Sequence, residues 1–358
     1  MIDWQRARLN QLLEPCVSGT ALNGADLRQL EELTLGDRHA CHAFLDSKNA
    51  SQAIQARLDL LQDLFPQLDD FCCTTLGWST TPLHTCWRLW LPLAMQLADT
   101  SRQLGRPLIQ GILGGQGTGK TTLTSLLSLI LKHLGYQVCG ISIDDIYKTY
   151  ADRLRLQADD ARLKWRGPPG THDIDLGIKV LRQLRTAAPD EAVKIPRFDK
   201  SAHQGAGDRT DPDVVSGIDI VLFEGWFVGE RPLDPAIFDQ APSPIDTDAD
   251  RAFARDMNER LHDYLPLWQE LDRLLVLCPT DYRLSQTWRQ DAERQMKASG
   301  KSGMSDEEIQ QFVTYFWRAL HPELFIPPLL EDADHVDLVV EVYPDHTPGR
   351  VYCPSTVR

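Results

Sequence analysis

Residues 111–123 read GILGGQGTGKTTL, and positions 114–121 within this stretch match the pattern G-x-x-x-x-G-K-[ST] throughout. An apolar run typical of a strand, PLIQGIL (107–113), precedes the pattern, and an amphipathic helical sequence (120–134) follows it. In this context the glycines let backbone N–H groups turn onto phosphate oxygens, and the helix N-terminus favours negative charge. The stretch therefore predicts a phosphate-binding loop rather than a glycine-rich turn with an incidental lysine.

The residue types of this loop indicate a nucleoside triphosphate with Mg²⁺. Lys120 is expected to bridge the β- and γ-phosphates, and the hydroxyl of Thr121 is expected to bind the metal ion. No N-K-x-D pattern, which would read guanine, follows in the sequence, so ATP is favoured over GTP. The predicted nucleotide-binding residues are Gly114, Gly115, Gln116, Gly117, Thr118, Gly119, Lys120, Thr121 and Thr122.

The rest of the chain predicts the fold around this loop. Near-continuous apolar runs at 138–143, 219–224, 273–278 and 336–343 are typical of strands buried on both faces. Helical patterns lie between them, at 120–134, 173–187, 250–267, 281–299 and 305–319. We predict an α/β, P-loop NTPase fold with a mainly parallel five-stranded sheet (residues 105–358), preceded by a helical N-terminal region (residues 1–104).

Composition limits the partners. The 358 residues carry a formal net charge of −14, which repels the phosphates of nucleic acids and anionic membrane surfaces. The eight cysteines form no CxxC pair, and the N-terminus lacks the apolar segment of a signal peptide. His39, Cys41 and His42 lack a second pair at metal-ligand spacing. A cytoplasmic protein without nucleic-acid or membrane partners is expected; the oligomeric state stays open.

Carboxylates follow two of the predicted strands. Asp144 and Asp145 stand at the end of the second strand, where open α/β sheets bind ligands, and one carboxylate there can accept a proton from an attacking hydroxyl. The alternative is that one of the two aspartates only caps the following turn. Both interpretations are compatible if one aspartate is the base and its neighbour is the cap. Glu224 ends the third strand in the manner of a Walker-B acid, which predicts a second contact to the metal.

Several further segments carry a family resemblance. Together with the loop, the sequence resembles the uridine kinase, phosphoribulokinase and pantothenate kinase group, and within it the P-loop, plant-type D-glycerate 3-kinases. The resemblance covers about residues 105–345. The segments are SIDDIY (142–147), RGPPGTHD (166–173), KIPRFDKSAHQGAGDR (194–209), VLFEGWFVG (221–229) and GMSDEEIQQFV (303–313).

The resemblance implies a kinase that phosphorylates D-glycerate to 3-phosphoglycerate, with a mobile helical lid at about 281–320. It implies that Asp144 is the general base and Glu224 the Walker-B acid. His172 and Asp173 fall where the group keeps substrate-contacting residues, although PPGTHD departs from the H-P-D-A-F-D-like run of uridine kinases. Their arginine-rich lid is partly matched, by Arg283, Arg289 and Arg294.

A basic block at 194–209 is compatible with an anionic acceptor. Lys194, Arg197, Lys200 and Arg209 stand within sixteen residues of an acidic chain, and a carboxylate substrate needs such a cation. The alternative is a solvated, mobile loop. The resemblance favours substrate binding, with Arg197 and Lys200 preferred and Asp199 orienting one of them or the substrate. A small hydroxy acid is thus the expected substrate.

Two other functions stay open on the sequence alone. The acceptor can be another small alcohol, such as a nucleoside, pantothenate or a sugar phosphate. The chain can also be an ATP-binding regulatory NTPase that acts through partner proteins bound by its helical N-terminal region.

Overall fold

The computed structural model describes residues 3–37, 40, 43–45, 49–298 and 304–354. His39, Cys41 and His42 lie outside the described residues, as do 299–303 within the predicted lid. The chain folds around one central sheet, with helices on both of its faces.

The central sheet has six strands in the order β2-β5-β1-β6-β7-β8. The first five are mutually parallel, and β8 runs antiparallel to β7 at the edge. Every residue of β1 and β5 is buried, as expected for central strands of a covered sheet. The strands are β1 (Leu108–Gly114), β2 (Val138–Ser142), β5 (Ile220–Gly225), β6 (Arg273–Pro279), β7 (Leu338–Val342) and β8 (Pro348–Tyr352).

The five predicted strands are confirmed, and two features of the sheets lie beyond the prediction. Strand β8 reads PGRVY, too short and too interrupted to stand out as an apolar run. The basic block is not a loop throughout, because β3 (Val193–Asp199) pairs antiparallel with β4 (Asp208–Val215) in a separate hairpin. Strand β4 reads DRTDPDVV and is mostly exposed, so it carries no apolar alternation that would reveal a strand.

The helices of the N-terminal region pack on one face of the sheet. Leu9, Leu61 and Leu97 share a continuous apolar core with Leu108 and Ile112 of β1. The N-terminal helices and the sheet thus share one core. A domain boundary between residues 104 and 105 stays a prediction. The helices are α1 (Asp3–Val17), α2 (Gly24–Gly36), α3 (Ala50–Asp70) and α4 (Leu91–Leu104), the last preceded by helical turns at Leu83–Thr85 and Cys86–Trp90.

The remaining helices follow the sequence signals for helix ends. Ser305 and Thr247 form capping boxes at the start of two helices, and Asp173 caps a third. The predicted helical segments are confirmed. The helices are α5 (Lys120–His133), α6 (Tyr150–Asp159), α7 (Ile174–Thr186), α8 (Asp248–Arg260), α9 (Leu265–Trp268), α10 (Leu284–Ala298), α11 (Asp306–Ala319) and α12 (Pro322–Leu330).

Within the described ranges, no helix combines the length and apolarity needed to cross a bilayer. The cytoplasmic location stays a prediction.

Candidate active site

The loop between β1 and α5 is as tight as its glycines predict. Gly117 and Gly119 have φ angles of 77° and 86°, in the left-handed region that side chains rarely adopt. A Cβ on Gly114 would lie 2.6 Å from Oγ1 of Thr118, and one on Gly117 would lie 2.6 Å from Cβ of Trp288. The backbone therefore encloses a small cradle at the N-terminus of α5, where N–H groups and the helix dipole meet an anion.

Lys120 lies across this cradle. Its Nζ donates a hydrogen bond of 2.9 Å to the carbonyl oxygen of Gly115, at the other end of the loop. Burial lowers the pKa of Lys120, and the carboxylates of Glu224 and Asp144 act in the opposite direction. The ammonium is thus held in a largely dehydrated place where a phosphate oxygen can replace the carbonyl.

Thr121 and Glu224, the two predicted metal ligands, lie next to each other. Oγ1 of Thr121 lies 3.4 Å from Oε1 of Glu224, which is buried at the end of β5. Among the described residues, no three His, Cys, Asp or Glu side chains cluster in a way that could hold a metal by themselves. One hydroxyl and one carboxylate suit Mg²⁺, which usually keeps several waters and takes the rest of its ligands from phosphates. The residues therefore fit Mg²⁺ bound with ATP.

Asp144 is held from two sides in a 3₁₀ turn (Ile143–Ile146) that follows β2. Its Oδ1 accepts a hydrogen bond of 2.7 Å from the hydroxyl of Tyr147, and its Oδ2 accepts one of 2.5 Å from Nζ of Lys200. Burial alone would raise the pKa of Asp144, but the ammonium of Lys200 and the Tyr147 hydroxyl outweigh it and the pKa is lowered. The carboxyl is therefore ionised at neutral pH.

Asp145 has a different role from its neighbour. Its Oδ2 accepts hydrogen bonds from the backbone N–H of Ser142, at 2.9 Å, and from Nη1 of Arg197, at 2.8 Å. Together with Ser142 it completes the capping box of the turn. Asp145 is therefore the aspartate of the pair that caps the turn, and it fixes the turn that carries Asp144.

The predicted substrate cations lie in different surroundings. Arg197 contacts Asp145, Asp213 and the carbonyl oxygen of Gly140. Arg209 bonds Oδ2 of Asp173 at 2.7 Å and the carbonyl oxygen of Tyr147 at 2.8 Å. These two arginines hold the hairpin against the sheet.

Of the three cations Arg197, Lys200 and Arg209, it is Lys200 that contacts Asp144. Its side chain is 62% exposed, so its ammonium is open to a ligand. Asp199, beside it, accepts hydrogen bonds from the backbone and hydroxyl of Ser201 at 2.8 and 2.6 Å. Asp199 therefore shapes the turn that carries Lys200.

His172 and Asp173 lie close to the turn that carries Asp144. The ring of His172 stacks on Tyr147 with 4.5 Å between centroids, and its Nδ1 is 2.7 Å from the hydroxyl of Tyr264. The hydroxyl of Tyr264 also accepts a hydrogen bond of 2.9 Å from the backbone N–H of Gly170. Burial lowers the pKa of His172 to about 3, so the ring is neutral. Asp173 caps α7 through the N–H of Leu176.

The predicted lid arginines contact acidic neighbours. Arg289 bonds Glu293 at 2.7 Å and lies over the ring of Phe312. Arg283 bonds Asp281 at 3.3 Å, and it lines a cavity of about 440 Å³ that also reaches the phosphate loop. The other walls of this cavity include Gly115, Gln116, Trp226, Glu230, Phe316 and Trp317.

Three supporting residues were not singled out from the sequence. Tyr147, which stands inside the SIDDIY motif, orients the carboxylate of Asp144. The guanidinium groups of Arg153 and Arg166 lie over the ring of Phe198, at 5.2 and 5.5 Å. Both arginines also bond the carbonyl oxygen of Ala206 in the hairpin turn. Their pattern is that of ordinary surface arginines, so only the tertiary contacts reveal that they fix the turn carrying Lys200.

The chain is similar to known kinases. The chain is 31% identical to the chloroplastic D-glycerate 3-kinase of Arabidopsis thaliana over 255 residues, 68% of this chain and 54% of that protein. It therefore spans about half the length of that relative. It is 35% identical to the uncharacterized kinase mug58 of Schizosaccharomyces pombe over 220 residues, 59% of this chain and 79% of that one.

A solved structure is similar as well, and no family model matches. The D-glycerate 3-kinase from Cryptococcus neoformans var. grubii superposes with a TM-score of 0.66 at 27% identity, covering 74% of this chain and 99% of that one. About a quarter of the present chain thus has no counterpart in the fungal structure.

Proposed function

Since this chain belongs to the P-loop kinase family of D-glycerate 3-kinase, we propose that it transfers the terminal phosphoryl group of ATP to D-glycerate, giving 3-phosphoglycerate. The observation that carries the proposal is the contact between Asp144 and Lys200 beside Lys120. It sets a carboxylate base and an exposed cation together at the end of the phosphate cradle.

Asp144 is proposed as the general base. It is ionised, and two donors fix the orientation of its carboxylate. A hydroxyl placed between Asp144 and the terminal phosphate would lose its proton to the carboxylate as the new oxygen–phosphorus bond forms and the bond to ADP breaks. Because such reactions depend mainly on positioning and charge, a carboxylate held in place serves better than a strong but mobile base.

Lys200 is proposed to meet the carboxylate of the acceptor. An ammonium has three N–H donors, so Lys200 can keep Asp144 and still bind a second anion. An uncharged acceptor such as a nucleoside would gain nothing from this cation. Arg197 and Arg209, in contrast, are proposed to position the hairpin, because their guanidinium groups already bind acidic partners.

His172 is proposed to position the base rather than to touch the substrate. Its ring supports the ring of Tyr147, and the backbone of the two residues is bridged. Lys120, Thr121 and Glu224 are proposed to hold Mg·ATP. Mg²⁺, when bound, supplies positive charge that neutralises the phosphate oxygens.

An acceptor panel tests the proposal. ADP formation is measured with D-glycerate, L-glycerate, uridine, pantothenate or no acceptor, for the wild type and for Asp144→Asn. Asp175→Asn, at an exposed position at the start of α7, is the matched control. We expect turnover that depends on D-glycerate and survives in Asp175→Asn, but falls by at least about a hundredfold in Asp144→Asn. Equal, slow hydrolysis with every acceptor and with none would overturn the proposal.

A further inference from the structure

A second cavity, of about 950 Å³, adjoins the phosphate loop on its helix side. It is lined by the end of the phosphate loop and the start of α5, from Gly117 to Leu123. One wall is the segment that follows β7, with Asp345 and His346. Another wall belongs to the helical N-terminal region and includes Arg6, Trp78, Ser79 and Thr80.

The direction of the bound nucleotide follows from the proposed function, on which this inference rests. The terminal phosphate must face Asp144 for transfer, so the phosphate chain runs from the Asp144 side towards the start of α5. Thr121 would hold the metal ion that accompanies the terminal phosphates, and Thr122 follows it in the chain, further from Asp144. The ribose and base therefore leave the loop into the 950 Å³ cavity.

The walls of this cavity present flat aromatic surfaces. Trp78 is partly exposed and stacks on Trp90, with 6.0 Å between centroids and 28° between ring planes. On the other side, His346 lies on Trp288 at 4.5 Å, and its Nε2 is 2.8 Å from the carbonyl oxygen of Gly117. A purine base offers a flat face that stacks on such rings.

An ion pair connects the two walls. Nη1 of Arg6, in α1, lies 3.7 Å from Oδ2 of Asp345, in the segment after β7. The N-terminal region thus contacts the segment that carries His346, and both border the same space. The position of Trp78 depends on this region being docked on the sheet.

We infer that the helical N-terminal region forms one wall of the nucleoside subsite, with Trp78 stacking on the base of ATP. The region is then part of the ATP site and not only a structural support. It makes ATP affinity depend on residues outside the segments that resemble other kinases.

Binding measurements on the full chain test this inference. We expect Trp78→Ala to weaken ATP binding by about fivefold or more, and Trp78→Phe to restore most of the affinity. The KM for ATP should rise in the same proportion, while the KM for the acceptor stays unchanged. Inorganic triphosphate, which has no base, should bind the wild type and Trp78→Ala equally. Trp4→Ala is the control, because Trp4 lies in α1 and is 60% exposed.

The outcomes are distinct. Unchanged ATP affinity in Trp78→Ala, or an equal loss for ATP and triphosphate, would overturn the inference. If Trp78→Ala does not fold, Ser79→Trp fills the cavity from an exposed position, and it should weaken ATP binding but not triphosphate binding. If the wild type binds ATP but phosphorylates no acceptor, the proposed function fails while the binding comparison still decides the nucleoside subsite.

Discussion

The hydroxyl of Tyr147 donates a hydrogen bond of 2.7 Å to Oδ1 of Asp144. The two residues are three positions apart in the turn after β2, so the sequence itself brings the hydroxyl donor and the carboxylate together. Because Lys200 occupies the other oxygen, the carboxylate has one fixed orientation towards the phosphate loop.

Removal of the Tyr147 hydroxyl should slow catalysis without unfolding the site. Tyr147→Phe keeps the ring that stacks on His172 and meets Phe198 edge to face, but it loses the hydrogen bond to the charged carboxylate. Such bonds contribute about 1.5–3 kcal/mol, so we expect kcat to fall about tenfold or more. Steady-state kinetics with D-glycerate measures this. A kcat equal to that of the wild type would show that the orientation of Asp144 does not limit the rate.

Loss of Lys200 should change the pH dependence as well as acceptor binding. The ammonium lowers the pKa of Asp144, so Lys200→Met should raise it. The base must be ionised to act, and the acid limb of the kcat/KM profile should therefore move to higher pH. The KM for D-glycerate should rise at least about tenfold because its carboxylate loses a partner.

The matched variant for this position is Lys200→Arg, which keeps the charge. It should retain the acid limb of the wild type. An acid limb that stays in place in Lys200→Met would contradict the assignment of Asp144 as the group that titrates.

Loss of Arg197 should affect stability more than chemistry. Arg197→Ala leaves the largely buried carboxyl of Asp145 without its cation, which costs about 1–3 kcal/mol of unfolding free energy. Burial already raises the pKa of Asp145. When the pKa of the Asp145 carboxyl is higher in the folded state than in the unfolded state, the protein loses stability as the pH rises from the unfolded pKa to the folded pKa. The melting temperature should therefore drop more at pH 8 than at pH 5.

The kinetic comparison separates Arg197 from Lys200. Arg197→Lys should recover part of the stability, and the KM for D-glycerate measured on folded Arg197→Ala at low temperature should stay close to that of the wild type. A tenfold increase in this KM at unchanged stability would instead make Arg197 a substrate ligand.

Glu230 should make stability depend on pH. Its side chain is buried, Oε2 has no hydrogen-bond partner, and burial raises the pKa of the carboxyl well above its usual value. Below the unfolded pKa, both states are protonated. Above it only the unfolded state ionises, so stability falls as pH rises towards the folded pKa.

Two substitutions check this prediction by thermal unfolding between pH 5 and 8. Glu230→Gln should remove the Glu230 part of the pH dependence. Glu230→Met, which also removes the unpaired polar atom, should stabilise the protein by about 1–3 kcal/mol at pH 8. A wild-type pH profile shared by both variants would contradict the assignment.

The parts of the fold and the site that could be predicted from the sequence are those encoded by neighbouring residues. The loop at 114–121 could be predicted because its glycines and Lys120 form a contiguous pattern. The parallel strands could be predicted because each of them is an unbroken apolar run. Strand β4 could not, because its residues are mostly exposed and polar, and the side chains that pack on the hairpin, Arg153 and Arg166, come from a distant part of the sequence. The different surroundings of Arg197 and Lys200, three residues apart, also depend on tertiary contacts that no spacing encodes.

The most direct test of the account is ³¹P NMR of a reaction mixture that contains the purified chain, Mg·ATP and D-glycerate. We predict that ADP and 3-phosphoglycerate form in equal amounts, and that Asp144→Asn forms neither on the same time scale. A mixture that yields ADP and inorganic phosphate, with no phosphorylated glycerate, would contradict the central claim.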